Sequence, residues 1–180
     1  MSLAESASLP LAGVTARQAL RKLRLAGGRR LLVTGGAGAV GGLAIQLARR
    51  AGATVDALVS RPEHRAHART LGAELAVSDA AALPPDGYAA VFDTAGVDVS
   101  AAAAPGADYV TVADAPLPML PGATKSYVQE DAADLAALAA AVDAGELRLR
   151  VAAYHPVAEV RRAHERFEAG GLLGKVVLLF

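Results

Sequence analysis

Residues 30–61 read RLLVTGGAGAVGGLAIQLARRAGATVDALVSR, and this stretch decides the fold. An apolar run, Leu31-Leu32-Val33, enters a glycine-rich turn in which Gly36, Gly38 and Gly41 fit the spacing G-x-G-x-x-G. A helix-forming segment follows, Gly52 stops it, and a second apolar run starts at Thr54. Each glycine has a physical reading. Gly36 permits the tight turn out of the strand, Gly38 lets backbone approach a phosphate with no Cβ in the way, and Gly41 lets the helix pack on the strand. The first helical residues, Ala39 and Val40, then offer unpaired N–H groups and the partial positive charge of a helix N-terminus. A dinucleotide pyrophosphate would sit there.

Working outward, strands and helices alternate. Thr15 is placed to cap a lead-in helix reaching about Leu25, with Gly27 and Gly28 ending it. Arg30 to Thr34 reads as a first strand, Val40 to Ala51 as a helix apolar nearly all round, and Thr54 to Val59 as a second strand. Pro62 suits the first turn of a helix running to Thr70 and closed by Gly72. Further strands are predicted at Glu74 to Val77, Ala89 to Asp93 and Asp108 to Val112, with strand-like alternation at Thr124 to Gln129. A helix over Asp131 to Ala144, a sixth strand at Leu149 to Tyr154, a helix over Pro156 to Glu168 and a last strand from Lys175 complete the chain. The pattern predicts an α/β fold: a doubly wound (Rossmann) parallel sheet of about six strands with helices on both faces. We divide the single domain, 1–180, into a lead-in helix (13–28), a core (29–155) and a C-terminal helix and strand (156–180).

Composition narrows the function classes. Eighteen basic residues balance eighteen acidic ones, and no basic face marks a nucleic-acid or membrane-surface binder. There is no cysteine, which removes disulfides and thiolate metal ligands. No apolar stretch approaches the roughly 20 residues of a membrane span, so a cytoplasmic protein is expected. Met1-Ser2-Leu3 has the look of a vector-derived start, in which case the chain is a piece of something longer.

The end of the second strand bears on which nucleotide is bound. Asp56 lies twenty residues after Gly36, as a ribose-binding acid would, but it falls inside the strand, near its opening end. At the strand's close stand Ser60 and Arg61, a hydroxyl and a guanidinium suited to a 2′-phosphate, with His64 and Arg65 one helical turn on. These residues favour NADPH, with NADH possible. The competing reading is a solvated helix face made of Arg61, His64, Arg65 and Arg69.

The residues quoted so far, with three further segments, resemble the medium-chain dehydrogenase/reductases, in particular the zinc-independent NADPH:quinone oxidoreductase branch. Leu9 to Ala16 looks like the family's entry into its cofactor domain, Leu32 to Gly41 like its phosphate-binding turn, and Phe92-Asp93-Thr94-Ala95-Gly96 like its strand-four signature. Ala163 to Arg166 and Gly174 to Leu178 are similar to its ending. By that resemblance Gly36 to Gly41 would hold the pyrophosphate and Ser60-Arg61 the adenosine end. The loops at Asp93, Thr94, Ala95, Gly96 and at Val112, Ala113 would approach the nicotinamide. Asp93 also reads as a turn-capping carboxylate. The chain departs from the family in lacking the preceding GroES-like substrate domain, on which residues 156–180 would pack. Only about ten residues join Gly96 to Gly106, so the intervening helix is shortened or lost, and Asp79 stands where NADPH users often carry an aromatic or basic residue. The last strand would present an apolar edge, exposed or paired with a second copy in a homodimer.

The resemblance implies an NADPH-dependent oxidoreductase passing hydride to a quinone or an activated alkene or carbonyl, its partners the nicotinamide dinucleotide and a small-molecule acceptor. Two alternatives remain: the enoylreductase portion of a modular synthase, and a non-catalytic NADPH-binding sensor. No tyrosine is followed four positions later by lysine, as a short-chain dehydrogenase would require. No catalytic residue is assigned and no metal site is expected. His155 and His164 read as structural, and Lys125 and Tyr127 as surface residues within reach of an acceptor.

Overall fold

The computed structural model describes residues 1–25 and 28–180. Six helices run α1 (Leu3–Ser6), α2 (Pro10–Lys22), α3 (Ala39–Arg50), α4 (Arg65–Thr70), α5 (Ala132–Asp143) and α6 (Val160–Glu168). Eight strands are β1 (Arg30–Thr34), β2 (Thr54–Leu58), β3 (Ala76–Val77), β4 (Tyr88–Asp93), β5 (Ala103–Thr111), β6 (Thr124–Lys125), β7 (Val151–Pro156) and β8 (Lys175–Leu179). The first six form one parallel sheet in the order β3-β2-β1-β4-β5-β6. That order reverses direction between β1 and β4, which opens a crevice at the carboxyl ends of those strands.

Leu31 and Val33 of β1 pack into one buried cluster and Leu32 into another, so the strand is apolar on both faces. The first cluster draws on α2, α3, α4 and α5. The second contains no α-helical residue: 3₁₀ turns at Ala80–Ala82 and Ser100–Ala102, with Leu120 and Ala123 of the proline loop, cover it. The doubly wound sheet is as expected; among the described residues α-helices cover one face and 3₁₀ turns the other. The short β4–β5 crossover anticipated from Gly96 to Gly106 is part of the cause.

The lead-in helix begins earlier than predicted. Pro10 occupies its first turn, where a missing N–H costs nothing, so no side-chain cap is needed, and Thr15 lies buried in mid-helix. The expected stop at Gly27 falls outside the described residues. Asp134 pins α5 to α2 by accepting from Arg17 at 2.9 Å and from Arg21 at 2.7 and 2.6 Å. The sixth strand of the main sheet is Thr124–Lys125, not Leu149 to Tyr154. β7 instead pairs with β8, in parallel, as a separate two-stranded sheet.

Candidate cofactor site

The glycine turn links β1 to α3 at the carboxyl edge. Its left-handed residue is Gly35 (φ 64°), not Gly36, and the Gly38 N–H closes the turn onto the Gly35 carbonyl at 2.9 Å. Gly36 is small for another reason: a Cβ there would come within 2.8 Å of Ala57 Cβ and 3.1 Å of Ile45 Cδ1. A Cβ on Gly41 would fall onto the Gly35 carbonyl, which is the close helix packing anticipated. Gly38 differs. Its backbone (φ −76°, ψ 176°) suits any residue, and a Cβ would press only on the Gly35 oxygen at 3.2 Å. It is also the N-cap of α3, and no side chain caps that terminus. The first-turn N–H groups at Ala39 and Val40 therefore have no side-chain cap.

At the close of β2, Ser60 and Arg61 are both exposed. The Arg61 guanidinium lies against Gly171, where a Cβ would strike it, and donates a long hydrogen bond to the Ala169 carbonyl at 3.5 Å. It forms no ion pair among the described residues. Arg65 donates to the Pro62 carbonyl at 3.0 Å and is exposed. His64 departs from the expectation: at 6% exposure it is buried rather than presented at the surface beside Arg61. Pro62–His64 form a 3₁₀ turn, whose tighter winding carries His64 inward rather than alongside Arg61.

Asp56 is the middle residue of β2 rather than near its opening end, but its side chain turns toward the opening edge of the sheet. It accepts from Arg30 at 2.8 Å, from the Tyr88 hydroxyl at 2.9 Å and from the Leu75 N–H at 3.0 Å. Those partners begin β1 and β4, so Asp56 is far from the crevice. Burial, then the hydrogen bond to Asp56, raises the Tyr88 phenol well above its ordinary range. Asp79, exposed, caps the Ala80–Ala82 turn through the Ala81 N–H at 2.9 Å.

The nicotinamide-side loops are organised by Asp93, which is 3% exposed. Its Oδ1 accepts from Thr34 Oγ1 at 2.5 Å and from the Ala95 and Gly96 N–H groups at 3.1 and 3.0 Å, and Oδ2 accepts from Thr111 Oγ1 at 2.8 Å. The turn-capping reading therefore holds. Thr94 donates its hydroxyl to the Thr34 carbonyl at 2.7 Å. The Val112 N–H is taken by the Asp93 carbonyl at 3.0 Å, and the Ala113 N–H by Thr111 Oγ1 at 3.1 Å. Thr34 and Thr111 were missed from the sequence. The available signal was a polar residue closing each of three apolar strands: Thr34, Asp93 and Thr111.

Lys125 pairs with Asp114 at 3.3 Å, Tyr127 and His164 are exposed, and His155 stands 3.9 Å from Glu159. Among the described residues no three His, Cys, Asp or Glu side chains converge as metal ligands. Among the described residues no helix is long and apolar enough to cross a membrane.

Residues 71–178 match the domain family described as zinc-binding dehydrogenase. The 2-methylene-furan-3-one reductase of Solanum lycopersicum is 40% identical over 100 residues, 53% of this chain and 26% of that protein. The chloroplastic NADPH-dependent alkenal/one oxidoreductase of Arabidopsis thaliana is 39% identical over 101 residues, covering 54% and 26% respectively. The quinone oxidoreductase from Coxiella burnetii superposes with a TM-score of 0.88 at 30% identity, over 99% of this chain and 61% of that one. The matched region is thus about a quarter of the curated relatives' length. The sheet order, the glycine turn and these likenesses agree: the chain belongs to the zinc-binding dehydrogenase family of the medium-chain dehydrogenase/reductases.

Proposed function

We propose that this chain is the NADPH-holding part of an oxidoreductase that delivers hydride to a quinone or an activated alkene or carbonyl. The observation that carries the reading is Gly38. Neither its backbone angles nor core packing demands a glycine there, and it stands beside a helix terminus that no side chain caps. A nicotinamide dinucleotide, when bound, supplies the hydride from its ring. The chain's part is to bind and orient it: Gly36, Gly38, Ala39, Val40 and Gly41 at the pyrophosphate, and Ser60, Arg61 and Arg65 at a 2′-phosphate. The backbone of Thr94, Ala95, Gly96, Val112 and Ala113 lies toward the nicotinamide. The likeness to a quinone oxidoreductase, a 2-methylene-furan-3-one reductase and an alkenal/one oxidoreductase supports that substrate class.

Titration calorimetry with NADPH and NADH tests the proposal. Preferential NADPH binding is expected, and absence of binding to either nucleotide would overturn it for this chain. A cytoplasmic location and a homodimer belong to the same proposal. Cell fractionation and sedimentation check them.

A further inference from the structure

Three strand ends border the crevice, and each closes on a buried polar side chain: Thr34 is the last residue of β1, Asp93 of β4 and Thr111 of β5. Asp93 joins the three strands sideways, its Oδ1 accepting from the Thr34 hydroxyl and its Oδ2 from the Thr111 hydroxyl. Among the described residues no basic side chain pairs with it.

Capping a turn does not require this arrangement. Asp79 and Asp98 cap their turns from the exposed surface, each through the N–H two residues on. Burying a carboxyl group costs desolvation, and hydroxyl donors on two other strands offset that cost only while all three strand ends hold their places.

The clasp reaches both lips of the crevice. Thr34 Oγ1 accepts from the Thr94 N–H at 3.0 Å. The Thr94 hydroxyl in turn packs on Gly35, the left-handed residue of the glycine turn, where a Cβ would come within 2.5 Å of it. Thr111 Oγ1 accepts from the Ala113 N–H at 3.1 Å. One buried group thus sets where the loops after β1, β4 and β5 stand relative to one another. The glycine turn is tied to β2 separately, by the Gly36 N–H donating to the Leu58 carbonyl at 3.1 Å. With phosphate at the glycine turn and the adenosine end at the close of β2, the sheet order leaves β4 and β5 for the other half of a dinucleotide.

We propose that the Thr34–Asp93–Thr111 clasp positions the nicotinamide half of the dinucleotide and leaves the adenosine half alone, with Thr111 the positioning residue on the β5 side. This assignment rests on the functional reading above.

The test is calorimetric titration with NADPH and with adenosine 2′,5′-bisphosphate, which carries the adenosine end and no nicotinamide. Thr111→Val keeps the branched shape and removes the hydroxyl. It should weaken NADPH about tenfold, the worth of one buried hydrogen bond, and change the bisphosphate by less than about twofold. Thr111→Ser should restore the parent ratio of the two affinities. Thr94→Val, at a half-buried position, carries the same expectation on the β4 side should Thr111→Val fail to fold. Tyr88→Phe loses a buried hydrogen bond at the opposite edge of the same sheet, and should lower the melting temperature with the ratio unchanged. Equal weakening of both ligands in Thr111→Val, weakening of neither, no rescue by Thr111→Ser, or the same change of ratio in Tyr88→Phe would overturn the clasp's role while the nucleotide site stands. A parent that binds the bisphosphate as tightly as NADPH would do the same. A parent that binds neither ligand would remove the oxidoreductase reading and the clasp's role together.

Discussion

Single atoms separate the glycines of the turn. Gly38→Val puts its methyl groups where a pyrophosphate must approach, at the cost of moving the Gly35 carbonyl a few tenths of an ångström. NADPH binding should vanish in calorimetry while circular dichroism stays that of the parent. Gly41→Ala drives a Cβ into the Gly35 carbonyl, so there the fold itself should suffer, with a lower melting temperature. A second residue-scale expectation concerns Arg61. One charge-assisted phosphate contact is worth about 1.5–3 kcal/mol, so Arg61→Ala should cut the preference for NADPH over NADH by about tenfold to hundredfold. The guanidinium rests on Gly171, whose φ of 63° asparagine tolerates better than most side chains. Gly171→Asn should displace Arg61 and lose the same preference with Arg61 still present. An unchanged nucleotide ratio in both variants would remove Arg61 from the site.

At the scale of elements, the short helix α4 meets the segment that leads into β7. Gln46 of α3 clamps that segment, donating to the Arg148 carbonyl at 3.1 Å and accepting from the Arg148 N–H at 2.8 Å. His67 of α4 lies among Arg148, Arg150 and Lys175. Burial first, then the charges of Arg150 and His64, holds its imidazole below the ordinary range. The folded chain therefore favours neutral His67, while the unfolded chain takes up its proton near pH 6.5. Stability from this group is complete above about pH 6.5 and is lost as the pH falls from there toward the lowered folded value. Melting temperature should decline between about pH 7 and 5.5, less steeply in His67→Gln; parallel declines would show that His67 is not the group responsible.

Elements with strong local chemistry were legible in the sequence. The run at Leu31-Leu32-Val33, the stop at Gly52 and the helix-forming run from Asp131 to Ala144 each carry their own signal. Val151–Pro156 did not: an apolar run of strand length says nothing about its partner, and only tertiary contact sends it to β8 rather than to the main sheet. His64 was misread because a 3₁₀ turn and an α-helical turn share their sequence signals but not their winding. Thr34 and Thr111 were missed as site residues because a polar residue closing an apolar strand reads as an ordinary strand end until the three strands lie side by side around Asp93.

Taken as a whole, the molecule has a central parallel sheet, helices along one face and a small paired-strand unit at its end. Apolar surface remains at that end, with Phe167, Tyr154, Val160 and Phe180 all exposed. The likeness to the Coxiella protein covers 61% of that longer chain. The one-sided helical cover has a consequence for how the protein comes apart. A sheet braced along one side does not loosen symmetrically; it opens like a hinged leaf, free side first. Amides of β1, at the braced centre, should exchange with deuterium only on global unfolding, while those of β5 and the two-residue edge β6 should exchange earlier, through partial opening. Mass-spectrometric exchange read peptide by peptide would show this gradient, and uniform protection across the six strands would mean that turns and prolines brace a sheet as firmly as helices do.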